Sequence, residues 1–263
     1  MAIAALQAGK HVLTEKPMAS TLEDAQALIR AAEAENSPVL AVIFQNRYNA
    51  ANIELTRIAR SGEYGKLLGM RASVNWHREA PYYTESGWRG VWATEGGGSL
   101  INQSIHTLDL MIQLGGPIAR VKGTISTDRL ADAIEVEDNA HAVLDFASGA
   151  RGLIHVSNNY TCDAPIFLEC VFENATWQMI GDKLFRVEIG VPVLALDGTA
   201  AVTVADKAYW GSGHFAQIRH FYDCLEKGEK FPIDGRSAYP ALELVKGIYS
   251  SSEKRDWVDM KGC

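Results

Sequence analysis

Hydrophobic and polar residues follow two different patterns along this chain, and the change falls near residue 46. The first part combines helical periodicity with short apolar runs. Ser20 and Glu23 form a capping box that opens a helix. The apolar face of that helix comprises Leu22, Ala25, Leu28, Ile29 and Ala32. Together with a helix over residues 1–9, a strand over His11–Thr14 and a continuous apolar strand over Val39–Phe44, this pattern predicts a doubly wound α/β unit.

From Leu67 onward, short strands joined by turns replace this alternation. The predicted strands are Leu67–Trp76, Ile118–Ser126, Val136–Phe146, Arg151–Asn159, Ile166–Phe172, Thr176–Ile180, Leu184–Ile189 and Ala200–Val204. Two helices close the chain, one over His214–Lys227 and one over Ser237–Ser251 with Pro240 in its first turn. The first of these carries one apolar face of Phe215, Ile218, Tyr222 and Leu225. We expect a large, mainly antiparallel sheet with helices on one face.

A nearly all-apolar helix with one polar stripe follows the three glycines Gly96–Gly98, and Ser99 is its expected N-cap. A helix that is apolar nearly all round is buried, and buried polar groups need partners. The stripe consists of Asn102, His106, Asp109 and Gln113. Two interpretations stay open: an internal hydrogen-bond network, or a helix that presents an imidazole to a substrate.

Composition narrows the class of protein. The 263 residues carry a net charge of −7, which argues against partners with phosphate backbones or anionic membranes. The opening apolar run is too short for a signal peptide and lacks its positive charges. The cysteines Cys162, Cys170, Cys224 and Cys263 show no metal-ligand spacing, so we expect reduced thiols in a cytoplasmic protein without a metal site.

A lysine stands where ligands bind in α/β folds. Glu15-Lys16-Pro17 follows the predicted strand at its carboxyl end. Taken alone, Lys16 is more simply a solvated surface charge. Paired with His106, it supplies a cation that polarises a hydroxyl and a base that removes its proton near neutral pH.

Several segments now resemble one known family, the glucose–fructose oxidoreductase/inositol dehydrogenase/MocA (Gfo/Idh/MocA) family of nicotinamide-dependent oxidoreductases. The main motifs are ALQAGKHVLTEKP over residues 5–17 and Asn102-x-x-x-His106 after the glycine turn. Further matches are Gln45-Asn46-Arg47-Tyr48-Asn49, Trp88-Arg89-Gly90, Glu135-Val136-Glu137-Asp138 and Gly213-His214-Phe215-x-Gln217-Ile218 near the end. The resemblance extends over essentially the whole chain.

This resemblance implies hydride transfer between NAD or NADP and a sugar, polyol or related hydroxyl carbon. Lys16 is similar to the family's lysine that bridges cofactor and reacting hydroxyl, and His106 to its general acid or base. Glu15, Pro17 and Arg89 would then contribute to the cofactor pocket.

The substrate pocket would include Arg47, Tyr48, Trp88, Asn102 and His106. A surface salt bridge for Arg47, a rim position for Tyr48 and simple packing for Trp88 remain open alternatives.

Two features depart from the family's pattern. The first residue of its D-x-x-x-H motif is Asn102 here, and an amide adds no negative charge beside the histidine. The second departure is that no G-x-G-x-x-G phosphate loop precedes Glu15. We therefore expect residues 1–46 to be the C-terminal remnant of a dinucleotide-binding Rossmann domain, and residues 47–263 to form the α/β substrate-binding and oligomerisation domain. Cofactor binding by this shortened chain is expected to be weak or absent.

Two other functions are each compatible with part of the sequence. A non-catalytic protein that keeps the sheet domain for carbohydrate binding or self-association fits the missing phosphate loop. A metal-dependent hydrolase would have Glu95, His106 and Asp109 as its ligand candidates, and we discount it. A sheet with one uncovered face also predicts a homodimer or homotetramer formed through that face.

Overall fold

A computed structural model describes residues 1–198 and 213–261 of the chain. Its first unit is a small α/β layer of helix α1 (Ala2–Gln7), strand β1 (Val12–Thr14), helix α2 (Leu22–Ala32) and strand β2 (Leu40–Val42). The two strands pair in parallel, with Val12 opposite Leu40 and Thr14 opposite Val42. All three residues of β2 are buried, as its continuous apolar sequence predicts.

A sheet of nine described strands follows, in the spatial order β10-β9-β8-β7-β3-β6-β5-β4-β11. Neighbouring strands run antiparallel except β3 and β6, which pair in parallel. This confirms the expected α/β unit followed by a mainly antiparallel sheet. The strands are β3 (Leu67–Asn75), β4 (Ile118–Ser126), β5 (Asn139–Phe146), β6 (Arg151–Ser157), β7 (Phe167–Phe172), β8 (Thr176–Ile180), β9 (Lys183–Glu188), β10 (Val191–Asp197) and β11 (Val258–Asp259).

Helices cover one face of this sheet and link it to the first unit. Helix α8 packs along β4, and it also contacts α2 and α6. The sequence did not predict α3, α4 or α5. The helical elements after β2 are a 3₁₀ helix (Gln45–Tyr48), α3 (Ala50–Ser61), α4 (Ala80–Thr84), α5 (Trp92–Glu95), a π-helical turn (Leu100–Ser104), α6 (Ile105–Gly115), α7 (Gly213–Lys227) and α8 (Gly235–Lys254).

The other face of the sheet is open among the described residues. Side chains alternate between the two faces, so that Ile154 and Ala142 are buried beneath the helices while Leu153 and Val143, opposite each other on β6 and β5, are 49% and 41% exposed. The apolar pair is flanked on the same strands by another cross-strand pair, His141 with His155.

Helix α7 buries a different face from the one that its apolar residues suggested. Phe215, Ile218 and Tyr222 are exposed, whereas Gln217 and Phe221 are buried. The cause is the Gln217 amide, which donates to the carbonyl of Val42 at 2.7 Å and accepts from the N–H of Phe44 at 3.0 Å. A polar residue that satisfies the backbone beside β2 therefore sets the helix orientation.

Three expected helix starts were wrong in detail. Thr21, not Ser20, caps α2 by accepting from the N–H of Asp24. Ser99 already has helical dihedral angles and its side chain makes no cap bond, because a π-helical turn begins directly after it. Helix α8 begins at Gly235 with Asp234 as its N-cap, which places Pro240 beyond the first turn.

Two differences concern the strands after Leu184. Strand β10 was not predicted, since its side chains are largely exposed and show no buried alternation. The expected strand Ala200–Val204 lies outside the described residues.

Candidate active site

Lys16 connects the end of β1 to the buried helical segment that carries the polar stripe. Its Nζ donates to the backbone oxygen of Asn102 at 2.6 Å and lies 3.4 Å from Oδ1 of the same residue. Burial lowers the pKa of Lys16 to about 8, and the positive charge of Arg89 acts in the same direction. The carboxylates of Glu15 and Glu95 oppose this shift. The Lys16–Pro17 peptide bond is cis, and Glu15 is exposed beside it.

The glycine turn fits against the backbone before β5. Gly97 has a φ of +151°, and a Cβ at Gly98 would lie 2.1 Å from the backbone oxygen of Glu137. The carboxylate of Glu137 accepts from the N–H groups of Gly98 and Leu100, both at 2.8 Å, and from the hydroxyl of Tyr249 at 2.9 Å. This clamp fixes the start of the π-helical turn that carries Asn102, and π-helical turns are frequent at functional sites.

His106 lies one turn beyond Asn102 in a position that favours the neutral imidazole. Burial lowers its pKa well below the ordinary value, and the positive charges of Lys16 and His214 add to the shift. The ring meets Phe44 edge to face with centroids 5.6 Å apart. Its Nδ1 is buried, and no hydrogen bond joins it to another described residue. A neutral imidazole beside an ammonium group is able to accept a proton.

Glu95 completes this cluster, although sequence reasoning considered it only as a metal ligand. Its side chain is buried, and its Oε1 accepts from Nδ2 of Asn102 at 2.6 Å. Its Oε2 accepts from the N–H of Gly90, also at 2.6 Å. Burial raises the pKa of Glu95. The signal in the sequence that could have indicated this role is the position of a carboxylate immediately before the glycine turn.

His214 was likewise not among the predicted site residues, and it stands at the start of α7. Burial lowers its pKa, which Glu15 raises and Lys16 lowers. The charge of Lys16 therefore acts on the pKa of both His106 and His214. Its position in the Gly213-His214-Phe215 segment was the signal in the sequence.

The rest of the polar stripe is a structural network. Asp109 binds the guanidinium of Arg47, and Gln113 accepts from the amide of Asn52 at 3.1 Å. Arg47 also donates to the hydroxyl and the backbone oxygen of Ser237. The interpretation of the stripe as an internal hydrogen-bond network therefore holds for Asp109 and Gln113. That the helix presents the imidazole of His106 to a substrate stays a prediction. The guanidinium of Arg47 is committed to these partners, so its assignment to the substrate pocket stays a prediction.

The remaining predicted residues lie on two separate segments. The hydroxyl of Tyr48 shares a hydrogen bond of 2.7 Å with Nδ1 of His220, and burial raises its pKa to about 12. The guanidinium of Arg89 lies over the rings of Trp88, at 4.6 Å, and Tyr82, at 4.4 Å. Trp88 is exposed. Arg89 acts on the pKa of Lys16 and belongs to its surroundings, whereas Tyr48 is held against α7.

Three further observations bear on the class of protein. Within residues 1–198 and 213–261, no three His, Cys, Asp or Glu side chains cluster as they would to hold a metal ion. The same residues include no helix with the length and apolar character needed to cross a membrane. Cys162, Cys170 and Cys224 are free thiols.

Comparison with known proteins agrees with this architecture. Residues 1–44 match the family model of an oxidoreductase family with an NAD-binding Rossmann fold, and residues 53–179 match the model of the GFO/IDH/MocA C-terminal domain. An uncharacterised oxidoreductase of Schizosaccharomyces pombe is 25% identical over 97% of this chain and 76% of its own length. D-apiose dehydrogenase of Paraburkholderia graminis is 27% identical over 98% of this chain and 68% of its own.

Similarity to levoglucosan dehydrogenase of Pseudarthrobacter phenanthrenivorans extends over less of both chains. The two are 27% identical over 60% of this chain, which corresponds to 46% of the relative.

A solved structure shares both the fold and part of the sequence. The WlbA dehydrogenase of Bordetella pertussis, in complex with NADH and UDP-GlcNAcA, superimposes with a TM-score of 0.83 and 28% identity. The match covers 99% of this chain and 74% of that one. A parallel α/β unit joined to a large open sheet thus defines the class, which comprises oxidoreductases built on a Rossmann fold. Within that class, the chain belongs to the Gfo/Idh/MocA family.

Proposed function

We propose that this protein is an NAD(P)-dependent oxidoreductase that transfers hydride between a nicotinamide and a CH–OH carbon of a sugar or polyol. The observation that carries the proposal is the pairing of Lys16 with His106. Nζ of Lys16 donates to the backbone oxygen of Asn102 at 2.6 Å, one turn before His106 on the same helical segment. The positive charge of Lys16 also lowers the pKa of His106. The names of the relatives, which include an apiose dehydrogenase, support a sugar-like substrate.

The residues around Lys16 have the chemistry that a dinucleotide needs. Glu15, Lys16 and Pro17 stand after the carboxyl end of a parallel strand, where ligands bind in such folds. The Nε of Arg89 is buried and makes no hydrogen bond to another described residue, which leaves a cationic donor for a ligand. When bound there, the nicotinamide would supply the site that accepts or donates the hydride.

The chain's own residues would handle the proton and the developing charge. Lys16 donates a hydrogen bond to the substrate oxygen, and its positive charge stabilises that oxygen as it loses its proton. His106 takes the proton at Nε2, since Nδ1 is buried, and returns it in the direction of reduction. Asn102, Trp88, Arg47 and Tyr48 are proposed to line the substrate pocket.

The same proposal assigns different roles to the two parts of the chain. Residues 1–46 would contribute the cofactor side of the site, and residues 47–263 the substrate side and the oligomer contact. The open face of the large sheet supports a homodimer or homotetramer, because its exposed Leu153 and Val143 form an apolar centre. The three free thiols support a cytoplasmic location.

Direct assay of this chain tests the proposal. Because no G-x-G-x-x-G loop precedes Glu15, binding is expected to be weak, and the cofactor is therefore supplied at high concentration. NADH binding is measured by fluorescence titration, and hydride transfer by the absorbance of the reduced nicotinamide with a panel of sugars and polyols, using either cofactor. We expect turnover that falls by about 10²-fold or more in Lys16→Met and in His106→Asn. Lys66→Met, at an exposed position directly before β3, is the matched control and is expected to keep the parent rate. Turnover that survives in both site variants would overturn the assignment.

A further inference from the structure

A short polar chain runs from Glu95 through Asn102 to Lys16. The amide nitrogen of Asn102 donates to Glu95, while its backbone oxygen accepts from Nζ of Lys16 and its side-chain oxygen lies 3.4 Å from that atom. Glu95 is 6% exposed and ends helix α5, directly before the glycine turn. One carboxylate, one amide and one ammonium are thus arranged in sequence within the protein interior.

Each contact of the Glu95 carboxylate comes from a donor. The Asn102 amide reaches Oε1 and the Gly90 N–H reaches Oε2, which matches an ionised carboxylate that accepts at both oxygens. The same contact fixes the amide of Asn102. With its nitrogen held by Glu95, its oxygen is the atom that remains for the ammonium of Lys16.

We propose that Glu95 is a positioning residue: through the amide of Asn102 it turns a carbonyl toward Lys16, and it supplies the negative charge that aspartate would supply at position 102. This inference rests on the proposed function, in which Lys16 contacts the substrate oxygen. It assigns Glu95 to the electrostatics of that lysine.

The proposal also explains the departure of this chain from the D-x-x-x-H pattern. An aspartate at position 102 would place a second carboxylate within hydrogen-bond distance of Glu95. Two carboxylates that share a site do not both ionise, because like charges raise one of the two pKa values. An asparagine at position 102 is still oriented by its hydrogen bond to Glu95, and it carries no charge that would repel the Glu95 carboxylate. Glu95 and Asn102 together therefore supply what one aspartate at position 102 would supply: Asn102 provides the carbonyl oxygen beside Lys16, and Glu95 provides the negative charge.

The experiment reads the pKa of Lys16 without substrate or cofactor. The whole chain is labelled with trace acetic anhydride across a pH series, and the peptide that contains Lys16 is quantified by mass spectrometry with exposed Lys10 as the internal reference. The variants are Glu95→Gln, Asn102→Asp and the double variant. Glu85→Gln is the control, because this carboxylate is exposed and is not among the charges that act on the pKa of Lys16.

In the parent, Glu95→Gln is expected to lower the pKa of Lys16 by about one pH unit, because an opposite charge is lost. In the Asn102→Asp background the same substitution is expected to change it little, because Glu95 is already neutral beside Asp. The inference would be overturned if Glu95→Gln left the pKa of Lys16 unchanged, or if it shifted that pKa equally in the parent and in the Asn102→Asp background. Thermal unfolding of each variant confirms that the labelled chain is folded.

The outcome is separable from that of the proposed function, because labelling requires no turnover. If the chain shows no hydride transfer and the predicted coupling is still found, the proposed reaction fails and the positioning role stands. If turnover is found and the coupling is absent, the positioning role fails alone.

Discussion

Arg47 and Asp109 form a two-point ion pair that joins the 3₁₀ helix after β2 to helix α6, which carries His106. Nε of Arg47 donates to Oδ2 of Asp109 at 2.7 Å, and an Nη group donates to Oδ1 at 2.5 Å. The side chain of Asp109 is 2% exposed and that of Arg47 is 15% exposed. The segment that directly follows the first α/β unit is therefore joined to helix α6 by an ion pair that is largely shielded from water.

Removal of this arginine is expected to destabilise the fold strongly. Arg47→Ala leaves the buried carboxylate of Asp109 without its partner, which costs about 3 kcal/mol or more of the free energy of unfolding. Urea denaturation at neutral pH measures the loss. Arg57→Ala is the control, because its pair with Glu54 lies at the surface and is expected to contribute little. Equal effects of the two substitutions would show that burial of the pair is not what matters.

A second prediction concerns the pH dependence of stability at the glycine turn. Burial raises the pKa of Glu137 to about 7, although Gly98, Leu100 and Tyr249 all donate to its carboxylate. Since the folded pKa exceeds the ordinary value, the folded state binds a proton that the unfolded state has released. Stability from this group is complete below about pH 4.5 and falls as the pH rises to about 7, by an amount on the order of 3 kcal/mol.

The variant Glu137→Gln is expected to remove this slope. The glutamine turns an amide donor toward one of the two backbone N–H groups, so the variant should also be less stable than the parent at pH 5. Urea titrations at several pH values between 4.5 and 7.5 separate the two effects, because the slope reports the titration and the offset reports the lost hydrogen bond. The exposed neighbour Glu135→Gln should keep the parent slope. If Glu137→Gln kept the pH dependence of stability that the parent shows, Glu137 would not be the group that titrates.

The main layers could be predicted from the sequence, because they depend on local patterns. The continuous apolar run around β2 and the alternation in β3 to β9 each report burial directly. The partners of polar groups could not be predicted in this way. Gln217 reversed the apparent face of α7 because its amide binds the backbone beside β2. Glu95 reaches Asn102 across a glycine turn whose left-handed geometry no periodicity describes.

The third prediction tests the packing of that turn. A Cβ on Gly97 would lie 2.0 Å from the hydroxyl oxygen of Tyr249. The substituted residue would also have to adopt a φ of +151°. Gly97→Ala is therefore expected to lower the thermal midpoint more than Gly9→Ala does. Gly9 also has a positive φ, of +72°, but nothing lies within 4 Å of its Cβ position, so that variant carries the backbone strain alone, about 1–3 kcal/mol. Equal midpoints would mean that Tyr249 moves aside freely.

The open sheet leads to a fourth prediction, which rests on the proposed homo-oligomer. Leu153→Asp places a charge at the centre of the exposed apolar pair on β5 and β6, and burial of an unpaired charge between two copies is unfavourable. We expect the molar mass from light scattering to fall to that of a monomer. Ile53→Asp, at an equally exposed apolar position on α3, is expected to leave the assembly intact. A monomeric parent would remove the proposal altogether.

The pH profile of turnover distinguishes the roles proposed for Lys16 and His106. Oxidation requires His106 neutral and Lys16 charged. Since burial lowers the pKa of both groups, the acid limb should lie well below pH 6.5 and the alkaline limb near pH 8, where Lys16 loses its proton. The rate therefore falls as the pH rises through about 8. Lys16→Arg keeps a positive charge throughout this range, so the alkaline limb should move upward or vanish even if the rate at neutral pH drops. An alkaline limb that stays near pH 8 in Lys16→Arg would show that another group titrates there, and the cation at the end of β1 would then not be the one that holds the substrate oxygen.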